Sequence, residues 1–150
     1  PAGTESSAKT HQYVAEGAGF EVTSVLDEPT AANSIYEIED GVVVDIGGGT
    51  TGLAILKGGK VVQIEDEPTG GTHLTLVLAG NFHVSFQEKM ASIVNRYIDK
   101  AHTDTIYLCG GPCCLTGIEG IFEKETGIRT IKPANPFLVT PAGIAMNCEI

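Results

Sequence analysis

The chain has 150 residues, 42% hydrophobic, 19% charged and 6% aromatic, enough for one domain or a little more with a buried core, which excludes a disordered polar segment. Nine basic against nineteen acidic residues give a formal charge of −10, which argues against nucleic acid and anionic membrane as partners. No apolar run reaches the roughly 20 residues of a membrane span and no secretory leader opens the sequence, so the expected location is the cytoplasm.

Taken in order, Thr4 to Gly17 carries alanines and few breakers and reads as a helix. Phe20 to Leu26 alternates apolar and polar residues at period two, which predicts a strand. Asp27 is placed to cap a helix that opens with Glu28 and Pro29 and continues through Ala31 and Ala32. Three valines from Val42 read as a buried strand, and Leu53 to Leu56 and Val61 to Ile64 complete a three-stranded meander between residues 42 and 65. Thr72 opens an apolar run, Leu74 to Ala79, expected to be helical. Met90 to Ala101 places Ile93, Val94, Tyr97 and Ile98 at helical spacing. A fourth strand is expected at Thr105 to Cys109, a helix at Leu115 to Glu125 capped by Gly127, a fifth strand at Ile128 to Ile131, and a last helix from Thr140 with Pro141 at its first position. A meander followed by crossovers is an α/β arrangement with a mixed sheet rather than a doubly wound parallel one.

Chemistry concentrates at strand ends. After Asp45, Gly47, Gly48 and Gly49 remove three Cβ atoms in succession, so backbone N–H groups can close on a phosphate, with Thr50 and Thr51 adding hydroxyls. Asp45 is suited to hold a hydrated Mg²⁺ beside that anion, and the set fits ATP. A strand follows these glycines, not a helix, which separates the loop from a Walker A or dinucleotide-binding fingerprint. The plain alternative is a glycine-rich hairpin, which needs fewer glycines and no strand-end aspartate. Glu28 has two readings, a carboxylate aimed into a cleft and an ordinary favourable charge at a helix start. Gly70 and Gly71 either bring a helix N-terminus to the same anion or serve helix entry alone. Gly110 and Gly111 end another strand and permit close approach of a flat ligand. Cys109, Cys113, Cys114 and Cys148 lack metal-site spacing and read as reduced thiols, and the scattered His11, His73, His83 and His102 read as surface residues.

The segments DEPTAAN (27–33), DIGGGTTG (45–52), the strand ending in Gly110-Gly111 and TPAGIA (140–145) resemble, in order, the nucleotide-site motifs of the actin, Hsp70 and sugar-kinase superfamily. DEPTGGTHLTLVLAG (66–80), KMASIV (89–94), GGPCCLTGIE (110–119) and KPANPFLVTPAGIA (132–145) are similar more narrowly to the ethanolamine utilization EutJ family, a likeness that runs over nearly the whole chain. The resemblance implies a ribonuclease H-like mixed five-stranded sheet with flanking helices. It divides the chain into residues 1–38, the end of a first lobe with its crossover helix, and 39–150, the second lobe of an actin-like ATPase.

By the same resemblance Asp45 would hold a Mg²⁺-bound or attacking water, Gly47 to Thr50 would contact phosphates, and Glu28 would orient water near the γ-phosphate. Gly110 and Gly111 would lie against the adenosine, Pro1 would be a hinge proline, and Ala142 to Ala145 would belong to the closing interlobe helix. The superfamily's second phosphate loop would precede Pro1. Cys114 stands where Hsp70 chaperones place an arginine against the adenine, and the stretch at Phe86 to Lys89 is shorter than the family's. With one lobe alone, about 4 kcal/mol of phosphate contacts would be forfeited, turning micromolar binding into millimolar. The implied function is an ATP-binding chaperone or assembly factor with slow ATPase activity, working with proteins of the ethanolamine-degrading machinery, in the cytoplasm or at a bacterial microcompartment. The alternative is a nucleotide-dependent scaffold or filament-type protein. The chain is too short for the added substrate domain of a small-molecule kinase.

Overall fold

Within β1 (Gly41–Ile46) every residue is buried, and the period of two sends Val42, Val44 and Ile46 to one face and Val43 and Asp45 to the other. The structure is a computed structural model that describes residues 5–72, 86–100 and 102–148. β1 is the middle strand of a five-stranded sheet in the order β3-β2-β1-β4-β5. β2 (Thr51–Lys57) and β3 (Lys60–Glu67) fold back from it as an antiparallel meander. β4 (Thr105–Cys109) runs parallel to β1 on its other side, and β5 (Arg129–Ile131) runs parallel to β4. The sheet is mixed and five-stranded, as the element order requires.

Helices cover both faces, which is why β1 has no polar face. On the first, α3 (Phe86–Tyr97) and α4 (Ile118–Thr126) pack Met90, Ile93, Val94, Ile118 and Phe122 against Val42, Val44, Leu53 and Leu108. On the second, α2 (Glu28–Tyr36) and α5 (Val139–Met146) bring Ala32 and Val139 to Val43, Ala54, Leu56 and Cys109. Asp45 therefore lies on the face covered by α2 and α5. These two helices touch at backbone distance, since a Cβ on Gly143 would stand 1.9 Å from the carbonyl oxygen of Ala31. The Asn147 side-chain amide adds a 2.9 Å bond to the Ser34 hydroxyl.

Local signals explain most boundaries. Asp27 caps α2 by accepting from the N–H of Thr30 at 2.9 Å and from its hydroxyl at 2.6 Å. Gly127, at φ +74°, closes α4 and donates to the carbonyl of Glu123. α4 starts later than the apolar pattern predicts, because Gly111–Cys114 form a 3-10 turn and Gly117 then takes a left-handed conformation. α5 begins one residue earlier than expected, continuing the 3-10 turn Pro136–Leu138, so Pro141 is its third residue. That is still the first turn, where an N–H has no intrahelical partner. α3 is displaced towards the N-terminus relative to the expected 90–101, ending at Tyr97.

One expectation fails outright. Phe20 to Leu26 has no regular secondary structure and belongs to no sheet among the described residues, and Phe20, Val25 and Leu26 are exposed. Alternation encodes a two-faced strand but not its neighbour, and the described residues supply none beside it. α1 (Glu5–Gly17) likewise leaves Tyr13 and Val14 exposed. The run Leu74 to Ala79, with Pro1, His73, His83 and Ala101, lies outside the described residues. Among the described residues no helix is long and apolar enough to cross a membrane.

Candidate functional site

β1 and β4 are parallel neighbours with Asp45 opposite Cys109, so the loops that leave their C-terminal ends lie side by side. This is the position where open α/β sheets present ligand sites. The loop after β1 is pinned from within: the Gly47 N–H donates to the Thr50 carbonyl at 2.9 Å. It is pinned from outside too, because Gly71 N–H donates to the Gly47 carbonyl at 2.8 Å and Thr72 N–H to the Gly48 carbonyl at 2.7 Å. With the carbonyls of Gly47, Gly48 and Thr50 engaged, the N–H groups of Gly48 and Gly49 have no backbone acceptor among the described residues, while the Thr50 nitrogen lies against Gly70. Gly48 and Gly49 are exposed. Consecutive backbone N–H groups left free at such a turn are the kind of feature from which anion-binding concavities are built.

Several sequence-derived site residues turn out to build the loop rather than line it. Thr51 is buried, and its hydroxyl donates to the Thr69 carbonyl at 2.7 Å, so it is not the phosphate-facing hydroxyl expected of it. Gly70 has no room for a side chain, since a Cβ there would lie 2.6 Å from the Gly47 carbonyl oxygen and 2.7 Å from the Thr50 nitrogen. A Cβ on Gly71 would meet Pro112 at 2.6 Å, and its N–H is spent on Gly47. Gly70 and Gly71 thus hold the phosphate-loop candidate against the loop after β4.

Asp45 is 6% exposed. Its Oδ2 accepts a 2.5 Å bond from the Thr140 hydroxyl at the start of α5. Its Oδ1 lies where a Cβ on Gly110 would stand 2.5 Å away, and that same Cβ would be 2.2 Å from the Ile46 carbonyl oxygen. Gly110, at φ +94°, therefore has to be glycine because of Asp45 and Ile46 rather than because of a ligand. Burial raises the Asp45 pKa above the ordinary carboxylate value, the Thr140 bond opposes this, and the Glu28 charge reinforces it. Glu28, the first residue of α2, is exposed and near enough for its charge to act on Asp45 and Cys109. Pro29 explains its position: the ring packs on Gly52, the β2 residue paired with Asp45.

The loop after β4 is braced from three sides. Gly110 N–H donates to the Pro136 carbonyl at 2.9 Å, and Lys132 Nζ donates to the carbonyls of Cys113 at 3.1 Å and Leu115 at 3.0 Å. Lys132 also pairs with Glu119 at 3.2 Å. Gly111 lies beside the ring of Phe137, a residue 62% exposed. Burial pushes the Cys109 and Cys113 thiols far up, and all four cysteines are free, in line with reduced thiols. His11 and His102 are at the surface as expected. Among the described residues no cluster of three His, Cys, Asp or Glu side chains could cage a metal. A buried, hydrogen-bonded carboxylate such as Asp45 still fits Mg²⁺, which keeps much of its water and takes few protein ligands.

Thr140, Lys132 and Phe137 fall inside the quoted segments TPAGIA and KPANPFLVTPAGIA, but the sequence reading gave none of the three a role of its own. The motif marks Thr140 without showing that its hydroxyl reaches Asp45, and Lys132 and Phe137 sit in a loop whose course the sequence does not fix.

The mixed sheet, its order and the two strand-end loops define this chain as a lobe of the actin-like ATPase fold. No family profile matches it. Ethanolamine utilization protein EutJ from Escherichia coli K12 is 38% identical over 167 residues, covering 97% of this chain and 59% of that protein. The crystal structure of EutJ from Carboxydothermus hydrogenoformans superposes with a TM-score of 0.81 at 39% identity, covering 97% of this chain and 62% of that one. MreB5 of Spiroplasma citri bound to ADP shares the fold at a TM-score of 0.75 and 16% identity, covering 97% and 65%. The chain is therefore a homologue of the EutJ proteins over nearly its whole length, and it spans 59% of the E. coli relative. The aligned span of 167 residues exceeds the 150 of this chain, so the relative carries residues inside it with no counterpart here.

Proposed function

We propose that this chain is the second lobe, with its crossover helix, of a EutJ-type protein that binds Mg²⁺-ATP and acts as a chaperone or assembly factor in ethanolamine utilization. The division into residues 1–38 and 39–150 belongs to this reading, with α2 as the crossover helix packed on α5, β1 and β2. The observation that carries it is the pairing of the exposed Gly48 and Gly49, whose N–H groups have no backbone acceptor among the described residues, with the buried, hydrogen-bonded carboxylate of Asp45. Phosphate would sit on the N–H groups of Gly48 and Gly49, with Gly47 setting the turn. Mg²⁺, held through water by Asp45, would neutralise phosphate charge. Glu28, on the exposed start of α2, would orient a water, and the adenosine would lie along Gly110 and Gly111 with the Phe137 ring beside it.

Turnover in this reading is slow, because phosphoryl transfer depends on surrounding the transferred group with fixed charge and donors. One exposed loop and one carboxylate do so from one side only. Partners would be proteins of the ethanolamine-degrading machinery, in the cytoplasm or at a microcompartment. A scaffold or filament-type role has its own supporting observation: among the described residues β3 is an edge strand, with Val62 and Ile64 exposed, on which a second chain could pair. Phosphate release by the intact protein separates the two. Steady turnover abolished by Asp45→Asn, with the fold kept, supports the first reading. Nucleotide binding without turnover, together with assembly of copies disrupted by charges on β3, supports the second.

A further inference from the structure

Asp45 is held by a residue that lies 95 positions away in the chain, on the first turn of α5. The Thr140 hydroxyl has one proton, and the 2.5 Å approach to Asp45 Oδ2, against 3.8 Å to the Cys109 sulfur, assigns that proton to the carboxylate. Oδ1 has Gly110 against it, so both oxygens are fixed by contacts on different elements. α5 cannot shift freely beneath Thr140. It is seated on α2 through the Gly143–Ala31 contact and the Asn147–Ser34 bond, and α2 carries Glu28.

We propose that Thr140 is the positioning residue for the metal side of the site: its hydroxyl fixes the Asp45 carboxylate in the orientation in which it would hold a hydrated Mg²⁺. The proposal rests on the nucleotide reading above. Valine has nearly the shape of threonine and lacks the hydroxyl, so Thr140→Val leaves the α5 packing in place and lets the carboxylate turn, whereas Thr140→Ser keeps the donor.

The test uses the full chain and titration calorimetry with ATP, once with excess Mg²⁺ and once with a chelator. Thr140→Val is expected to lose about tenfold in affinity with Mg²⁺ and to match the wild type without it, and Thr140→Ser is expected to restore the Mg²⁺-dependent gain. A Mg²⁺ dependence unchanged in Thr140→Val, or lost equally in Thr140→Ser, overturns the proposal while the nucleotide reading stands. A wild-type chain that binds no ATP under either condition overturns the nucleotide reading itself. A melting cycle with Asp45→Ala needs no ligand and covers the case of a poorly folded variant. Thr140→Val should lower Tm in the wild type and leave it unchanged in the Asp45→Ala background, and equal losses in both would show that the bond does not act.

Discussion

Asp45 shows why a buried carboxylate at a strand end is worth its cost to the fold. Its pKa is raised chiefly by burial, so the folded state favours the protonated form more than the unfolded chain does, where Asp ionises near about 3.9. The stability this contributes is fully present below that pH and is lost as pH rises through the raised folded-state value. Asp45→Asn, which stays neutral, should therefore give a higher Tm than the wild type at pH 7, with the advantage shrinking at acid pH; melting curves at both ends check this. The same variant should lose Mg²⁺-dependent nucleotide binding, separating stability from function at one atom. Gly110 makes the opposite case. Alanine there brings a Cβ within 2.2 Å of the Ile46 carbonyl oxygen at φ +94°, and Gly110→Ala is expected to cost about 3 kcal/mol in denaturant unfolding.

Elements here are positioned by small residues and by cations at turn ends. Gly143→Ala would drive a methyl into the Ala31 carbonyl, separating α5 from α2; limited proteolysis should then cut at α5 sooner than in the wild type. Lys132 terminates the Gly111–Cys114 turn with two carbonyl bonds. Lys132→Met should therefore speed amide exchange at Cys113 to Leu115 while leaving β1 protected, and uniform exchange throughout would contradict this. Much of this level was legible beforehand. Asp27 and Pro29 announced α2, Gly127 announced the end of α4, and the valines of β1 announced a strand with both faces covered. What was not legible depended on tertiary neighbours. Phe20 to Leu26 has the period of a strand and no partner among the described residues, and Thr51, Gly70 and Gly71 look like ligand residues until their contacts show them building the loop.

At the scale of the molecule, the sheet order puts the ends of β1 and β4 together, and α2 and α5 close over the face that carries Asp45. The glycines and the aspartate could be read as a phosphate site from sequence because their chemistry is local, whereas the bond from Thr140 to Asp45 joins residues 95 positions apart and becomes visible only in the fold. Gly48 and Gly49 are exposed, so a phosphate on this loop would be grasped from one side, and binding by this chain should be weak. The most direct test is calorimetric titration of the chain with Mg²⁺-ATP. The account predicts saturable one-to-one binding near the millimolar range, weakened about tenfold or more by Asp45→Ala. Binding of equal strength in wild type and Asp45→Ala, or none in the wild type, would contradict it.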